Sequence, residues 1–245
     1  MQESIERLVA AAAEGRESDV AELLRLGVPA DGRSTGDFPR TALDMALTGQ
    51  HVACVRILLA AGADPEQRIG KWSETLPLWR SVFHNRTELV KLLLEAGADA
   101  NGLVDRKTLA PLALAAENNS QEIAVLLLQH GAVSGNLGQL RSVFDYVAGA
   151  GRPTILRLLP QSHTTTKAVS AINYAKERAA SHAEGSARRQ DYIEVLRMLG
   201  DENPADIPPV RPRSRPTLGT GNTGALARHF PTGRTTLGNS SGSGT

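Results

Sequence analysis

Leucine-rich segments with helical spacing recur along the chain, and in each of them a glycine follows the leucines. The clearest is Glu-Leu-Val-Lys-Leu-Leu-Leu-Glu-Ala-Gly-Ala-Asp-Ala-Asn at 88–101. Similar segments lie at 55–64 and 124–132, and a weaker one lies at 20–28. Their glycines, at positions 27, 62, 97 and 131, are separated by 35, 35 and 34 residues. Self-similarity at this period predicts a stacked array of repeats.

A second apolar segment precedes each of these helices at a constant distance of 21 residues from the glycine. It reads Thr-Ala-Leu-Asp-Met-Ala at 41–46, Leu-Pro-Leu-Trp-Arg-Ser at 76–81 and Ala-Pro-Leu-Ala-Leu-Ala at 110–115. Together the two blocks resemble the ankyrin repeat, whose unit reads Thr-Pro-Leu-His-x-Ala and then a leucine-rich helix ending in Gly-Ala-Asp-x-Asn. Tetratricopeptide repeats have a similar period but short turns, whereas some 13 non-helical residues separate the units here.

The resemblance implies an all-α ankyrin-repeat solenoid of helix-turn-helix units joined by hairpin-like loops. We predict a repeat domain over residues 1–200, with four clear repeats followed by two degenerate ones. The expected bounds are 4–40, 41–75, 76–109, 110–135, 136–163 and 166–200. Residues 201–245 are rich in Pro, Gly, Ser, Thr and Arg, so we predict that they form a disordered tail.

The first unit differs from the others on one stripe of its second helix. Five and eight residues before the glycine, the later units carry apolar pairs, while the first carries Glu22 and Asp19. A terminal repeat needs a polar outer face, so we expect this unit to be the N-terminal cap, with little missing upstream. Ser4 and Thr41 are predicted N-caps, and Pro77 and Pro111 fit the first turn of their helices.

The overall charge gives no global attraction to nucleic acid or to an anionic membrane. Lys plus Arg is 27 and Asp plus Glu is 26, for a net charge of +1. The only cysteine, Cys54, excludes an internal disulfide framework. No signal peptide or apolar run of membrane-spanning length is visible. We therefore expect a soluble intracellular protein, cytoplasmic or nuclear, that is monomeric.

The sequence offers little catalytic chemistry. The six histidines and Cys54 lack the spacing of zinc ligands, and Cys54 stands at a repeat position otherwise filled by Leu89 and Ile123, which predicts a buried structural thiol. The match to Gly-x-Gly-x-x-Gly at 219–224 has no preceding strand to scaffold it. We expect no enzyme activity and no cofactor, although a deep pocket joining His84 or His130 to an acid and a nucleophile would reopen that question.

The stretches between repeats carry the candidate binding residues. The resemblance implies that these stretches form hairpins whose tips project side by side and, with the first helices, line a concave face. Their basic and aromatic residues suit a protein-binding ridge, because Trp, Tyr and Arg dominate binding hot spots. The predicted set is Arg33, Phe38, Arg40, Arg68, Lys71, Trp72, Arg106 and Lys107, together with Trp79 of a first helix. Alternatively, Phe38 and Trp72 fold back onto neighbouring repeats.

We therefore predict a non-catalytic protein-protein interaction module or scaffold, whose partner protein presents an acidic patch. The alternative is a regulatory or nucleic-acid-associated factor that acts through the basic cluster Arg-Pro-Arg-Ser-Arg at 211–215. Such a cluster could also be a kinase site, a weak import signal or a solvated linker, and the linker is the commoner case.

Overall fold

The computed structural model describes residues 1–70, 75–102, 109–133, 143–159, 165–201 and 203–207. Within these ranges the regular secondary structure is helical, with two isolated antiparallel bridges, Arg33 to Thr41 and Ile69 to Thr75, in the first two connections between units. The helices are α1 (Gln2–Glu14), α2 (Glu17–Arg25), α3 (Ala42–Gly49), α4 (Val52–Ala60), α5 (Pro77–Phe83), α6 (Thr87–Glu95), α7 (Pro111–Glu117), α8 (Gln121–Gln129), α9 (Val143–Gly149), α10 (Pro153–Leu156), α11 (Thr165–Ala179) and α12 (Ala187–Met198).

The helices stack as two layers. Each odd-numbered helix packs against the next odd-numbered one, and each even-numbered helix packs against the next even-numbered one. Within a unit the two helices also pack together, from α1 with α2 to α11 with α12. This arrangement confirms the predicted all-α solenoid of ankyrin-type units. None of the helices in the ranges that the structure describes is long and apolar enough to cross a membrane.

The periodic leucines form the continuous core of the stack. Burial removes apolar surface from water, and that surface is continuous from one unit to the next because each unit contacts its neighbours. Leu59 and Leu128, which belong to the same periodic pattern, are only partly buried. The leucines of the pattern that are almost completely buried are Leu43, Leu58, Leu78, Leu93, Leu94, Leu112 and Leu127.

The repeated glycine ends the second helix of each of the first four units. Gly27, Gly62, Gly97 and Gly131 have φ of 82°, 87°, 92° and 87°. A Cβ built on any of them would meet no atom within 4 Å. The backbone angle therefore requires glycine here, and close packing does not.

The predicted helix starts are partly correct. Thr41 Oγ1 accepts a hydrogen bond from the Asp44 amide at 3.1 Å, and Pro77 and Pro111 lie in the first turn of α5 and α7. The prediction for Ser4 was wrong, because α1 already begins at Gln2. The Met1 carbonyl accepts a hydrogen bond from the Ile5 amide at 3.1 Å. This backbone bond extends the helix toward the N-terminus, so Ser4 lies inside it.

The stripe of α2 that carries Asp19 and Glu22 is polar, and both side chains reach solvent. Asp19 and Glu22 form surface ion pairs with Arg16 and Arg25, whereas the equivalent Cys54 in α4 is fully buried.

The last two units keep the layered packing with altered detail. Helix α10 has four residues, so the fifth unit has a second helix of a single turn. A Cβ on Gly149 would lie 2.1 Å from the Tyr174 ring, so α9 and α11 approach too closely for any larger residue. Ile207 is buried in the core cluster, and Asp201 pairs with Lys176 at 2.8 Å. These two residues of the predicted tail segment therefore contact the last unit.

Candidate functional site

The described part of the loop tips places some predicted binding residues at the surface. Arg33 and Arg68 are exposed, and Phe38 is 37% exposed. Lys71, Trp72, Arg106 and Lys107 lie outside the described residues. The tips lie at the opposite end of the helices from the turns within each unit, because the two helices of a unit run antiparallel.

Arg40 belongs to a polar cluster that ties the second unit to the third. Asp44 is almost completely buried, with a side chain 3% exposed. Its carboxylate accepts from Arg40 at 2.5 Å, from Arg80 at 3.2 Å and from the Gly70 amide at 3.2 Å. A buried carboxylate needs such partners, because an unpaired buried charge is strongly unfavourable. Arg40 is therefore engaged within the array, and its side chain is 28% exposed.

An aromatic patch, formed by Trp79, Phe83 and His84, covers part of the first-helix layer. The Trp79 indole N–H donates to the Leu109 carbonyl of the next unit at 2.9 Å, which fixes the ring. Phe83 stacks on Trp79 with a centroid distance of 5.2 Å and an interplanar angle of 16°. His84 meets the edge of Phe83 at 5.2 Å. Because Phe83 is 49% exposed, this patch presents an aromatic ring to solvent.

A cleft of about 170 Å³ lies beside the aromatic patch, where α3 and α5 both end. Leu47 and Leu89 contribute apolar side chains to it, and both residues are buried. Arg80, His84 and Arg86 contribute basic groups. We call this feature the basic cleft. It lies at the turn end of the helices, away from the loop tips.

The pKa of His84 is lowered from its ordinary value, chiefly by burial and also by the nearby charges of Arg80 and Arg86. The imidazole is therefore mainly neutral at neutral pH. Ser81 also lines the cleft, but its hydroxyl donates to the Pro77 carbonyl at 2.9 Å. Among the described residues no hydrogen bond joins Ser81, His84 and Asp44 into a nucleophile and base arrangement.

Cys54 has the structural role that its repeat position predicts. It is fully buried, and burial, followed by the charge of Glu17, raises the pKa of its thiol. In the part of the chain that the structure describes, no group of three His, Cys, Asp or Glu side chains could hold a metal ion.

Equivalent positions in successive units have different roles. His51 lies directly after the α3 C-cap, and its ring nitrogen is 3.0 Å from the Ala13 carbonyl of the preceding unit. Arg152 follows the left-handed Gly151 in the same way, and its Nε donates to the Ala116 carbonyl at 3.1 Å. Arg86 follows the left-handed Asn85, but it makes no such bond among the described residues and instead lines the cleft.

Sequence reasoning missed Phe83, Arg80 and Arg86 as surface candidates. The available signal was the motif itself, since the third unit reads Leu-Pro-Leu-Trp-Arg-Ser where the repeat pattern has Thr-Pro-Leu-His-x-Ala. Only Trp79 was selected from it.

Comparison with known families and proteins agrees with the architecture. A family model described as "Ankyrin repeats (3 copies)" matches residues 8–102 and, in an overlapping match, 78–170. Together the two matches cover about two thirds of the 245 residues.

Curated relatives share this repeat region. Ankyrin repeat and SOCS box protein 5 of Bos taurus is 39% identical over 142 residues, which is 56% of this chain and 40% of the relative. The Oryctolagus cuniculus protein of the same name is 33% identical over 168 residues, 67% of this chain and 47% of the relative. B-cell lymphoma 3 protein homolog of Mus musculus is 30% identical over 126 residues, 50% of this chain and 28% of the relative. The chain thus spans less than half the length of these relatives.

Proposed function

Because the chain belongs to the ankyrin-repeat family, whose repeats are generally protein-protein interaction modules, we propose that it is a non-catalytic scaffold that binds a partner protein through the aromatic patch. The observation that carries this proposal is the exposed Phe83 ring, stacked on Trp79 in the first-helix layer.

The aromatic patch has the properties of a binding hot spot. Trp79 is held by its hydrogen bond to the Leu109 carbonyl, and Phe83 is held by the Trp79 ring. Rings fixed before binding lose little conformational entropy when a partner covers them. Large aromatic residues also dominate the energetics of protein interfaces.

The loop tips are the second surface of the proposal. Arg33, Phe38 and Arg68 lie at the surface of the described tips, and Lys71, Trp72, Arg106 and Lys107 extend the series in sequence. Their basic character suits a partner with an acidic patch. Arg40 contributes to this surface through the fraction of its side chain that Asp44 leaves exposed. Trp79 belongs to both surfaces in the proposal. It lies in the first turn of α5, which follows a loop tip, and its ring supports Phe83.

The test uses selection from a display library of random peptides, followed by affinity measurements on purified full-length protein. Phe83→Ala removes the exposed ring, and Leu26→Ala is the matched control, because Leu26 is 65% exposed on another helix end. We expect selected peptides to lose about tenfold or more in affinity for Phe83→Ala, as an aromatic hot spot would. Leu26→Ala should bind as the unaltered protein does.

A double variant, Lys71→Ala with Trp72→Ala, tests the loop tips separately. Loss of binding in this variant alone would move the interface to the tips. Failure to select any peptide, or equal affinity for all variants with retained helicity, would contradict the proposed function.

A further inference from the structure

We propose that the basic cleft between α3 and α5 receives an acidic side chain of the partner protein, with Arg86 as its main anchor. The proposal rests on the proposed function, because it specifies the chemistry of the segment that the aromatic patch binds. The ligand is an Asp or Glu side chain, or a phosphorylated side chain, which presents the same oxyanion chemistry.

The local balance of charge is positive. Two guanidinium groups, those of Arg80 and Arg86, line the cleft, and among the described residues the carboxylate that bonds to one of them is Asp44, which Arg80 shares with Arg40. The nearest acid on α6, Glu88, is paired with Arg56 at 3.0 Å. Among the described residues no carboxylate bonds to the Arg86 guanidinium, so its positive charge is in excess at the cleft, which favours a negatively charged ligand.

Arg86 has donors that the array does not use. His51 and Arg152, which like Arg86 each follow a residue with positive φ, contact carbonyl groups of the preceding unit. Arg86 is exposed, its side chain makes no hydrogen bond or ion pair with any described residue, and it lines the cleft. A guanidinium offers five N–H donors in a planar fork, which matches the two oxygens of a carboxylate.

Arg80 is held in place by the cluster. One of its terminal nitrogens donates to Asp44 at 3.2 Å, and its side chain is 26% exposed. Its other donors remain for a ligand. His84 adds an imidazole ring, one nitrogen of which carries an N–H donor even in the neutral form.

The size of the cleft suits one side chain. Small-molecule pockets typically enclose about 300–1,000 Å³. The cleft has about 170 Å³ and apolar walls from Leu47 and Leu89, so it can cover the methylene stem of a Glu while the carboxylate meets the arginines.

The C-terminal ends of α3 and α5 carry partial negative charge that repels an anion, but this repulsion is smaller than the attraction of the guanidinium groups. Their C-cap residues, Gln50 and His84, line the cleft. A helix C-terminus carries at most roughly half a negative charge, and short helices carry less. Helices α3 and α5 have only eight and seven residues, so their ends oppose the positive charge of Arg86 without cancelling it.

The experiment uses the peptides selected on the full-length protein. Each peptide is synthesised with its acidic residue intact, with that residue replaced by the neutral amide, and with phosphoserine in its place. Affinities are measured for the unaltered protein, for Arg86→Gln and for Arg25→Gln, a control at an exposed arginine of the first unit. Arg86 is the residue to change, because Arg80 supports the fold through Asp44.

We expect the acidic peptides to bind Arg86→Gln about tenfold more weakly, which is the usual scale of a charge-assisted hydrogen bond. The neutral peptides should bind the unaltered protein and Arg86→Gln equally, and Arg25→Gln should change nothing. Phosphoserine in place of the carboxylate, with the same dependence on Arg86, would identify a phosphorylated partner and would also support the cleft.

Two outcomes overturn the inference. In the first, acidic and neutral peptides bind equally well. In the second, the loss on neutralising the acid is the same in Arg86→Gln as in the unaltered protein. If Phe83→Ala still weakens peptide binding about tenfold or more in either case, the proposed function stands and only the cleft assignment fails.

Discussion

Replacing Asp44 by Asn should destabilise the array by about 2–3 kcal/mol, because this side chain is the centre of a buried charged cluster. The Asp44 side chain is 3% exposed and accepts from Arg40, Arg80 and the Gly70 amide. The carboxamide has the same shape, but it loses the negative charge and turns an N–H group toward one of its former donors.

The magnitude follows from the exposure of the partners. Removing one partner of a fully buried ion pair costs about 3–5 kcal/mol, whereas exposed pairs contribute about 0–1 kcal/mol. Arg40 and Arg80 are 28% and 26% exposed, so water can solvate them after the carboxylate is lost. This partial solvation places the expected loss below the fully buried range and well above the exposed one.

Urea denaturation followed by circular dichroism measures the loss. With a slope of about 1–3 kcal/mol per molar urea, the midpoint should fall by roughly 1 M. Asp37→Asn is the matched control, because Asp37 is exposed in the neighbouring loop and should change stability by less than about 0.5 kcal/mol. A double-mutant cycle of Asp44→Asn with Arg80→Gln should show coupling between the two units.

The reasoning is refuted if Asp44→Asn and Asp37→Asn unfold at the same urea concentration. It is also refuted if the cycle is additive, since Asp44 and Arg80 would then stabilise the protein independently despite their contact.

Three further predictions concern single residues. Gly97→Ala should lower stability by about 1–2 kcal/mol in urea denaturation, because φ is 92° and the new methyl meets no neighbour; a much larger loss would show a steric cost that the structure lacks. Cys54 should react with a thiol reagent far more slowly in the native protein than in urea, because burial raises the pKa of its thiol; immediate labelling of the native protein would contradict this. The lowered pKa of His84 means that the unfolded chain takes up the proton first, so its contribution to stability should be lost as pH falls below about 6.5. The variant His84→Gln should reduce this pH dependence. The variant Arg86→Gln should raise the pKa of His84, which NMR can measure. A His84 pKa that stays the same in Arg86→Gln would contradict the proximity of the two groups.

The sequence predicted those parts of the fold that repeat. Leucines at a constant period pack in the same way in every unit, so Leu58, Leu93 and Leu127 follow from the pattern alone. The glycines at the helix ends follow too, because a left-handed residue is needed at each turn of the chain. The prediction succeeds at positions where the same residue has the same packing or backbone role in each of the first four units.

Contacts that occur once were not predictable. Asp44 and Arg80 are separated by 36 residues, and a capping motif read from Thr41 does not reveal that the Asp44 side chain crosses to the next unit. Gly149 lies against the Tyr174 ring, and no other unit has an equivalent pair of residues in the repeat pattern that could have predicted this contact. Arg86 and Arg152 occupy equivalent positions, and only the coordinates show that one bonds to a carbonyl while the other lines the cleft.

The Asp44 cluster also decides how well the basic cleft can bind an anion. Removing a carboxylate beside the cleft should increase its attraction for an acidic peptide, and charges within about 8 Å still interact at physiological salt. The same change frees Arg80, and ordering such a side chain on binding costs about 0.5–1.5 kcal/mol. Salt screens the increased attraction for the peptide, but it leaves the cost of ordering Arg80 unchanged. Measurements at low and high salt can therefore separate the two effects. We expect Asp44→Asn to bind the acidic peptides more tightly than the unaltered protein at low salt, and more weakly at high salt. If Asp44→Asn binds more tightly at every salt concentration, Asp44 only opposes the ligand's charge and does not hold Arg80 in position for it.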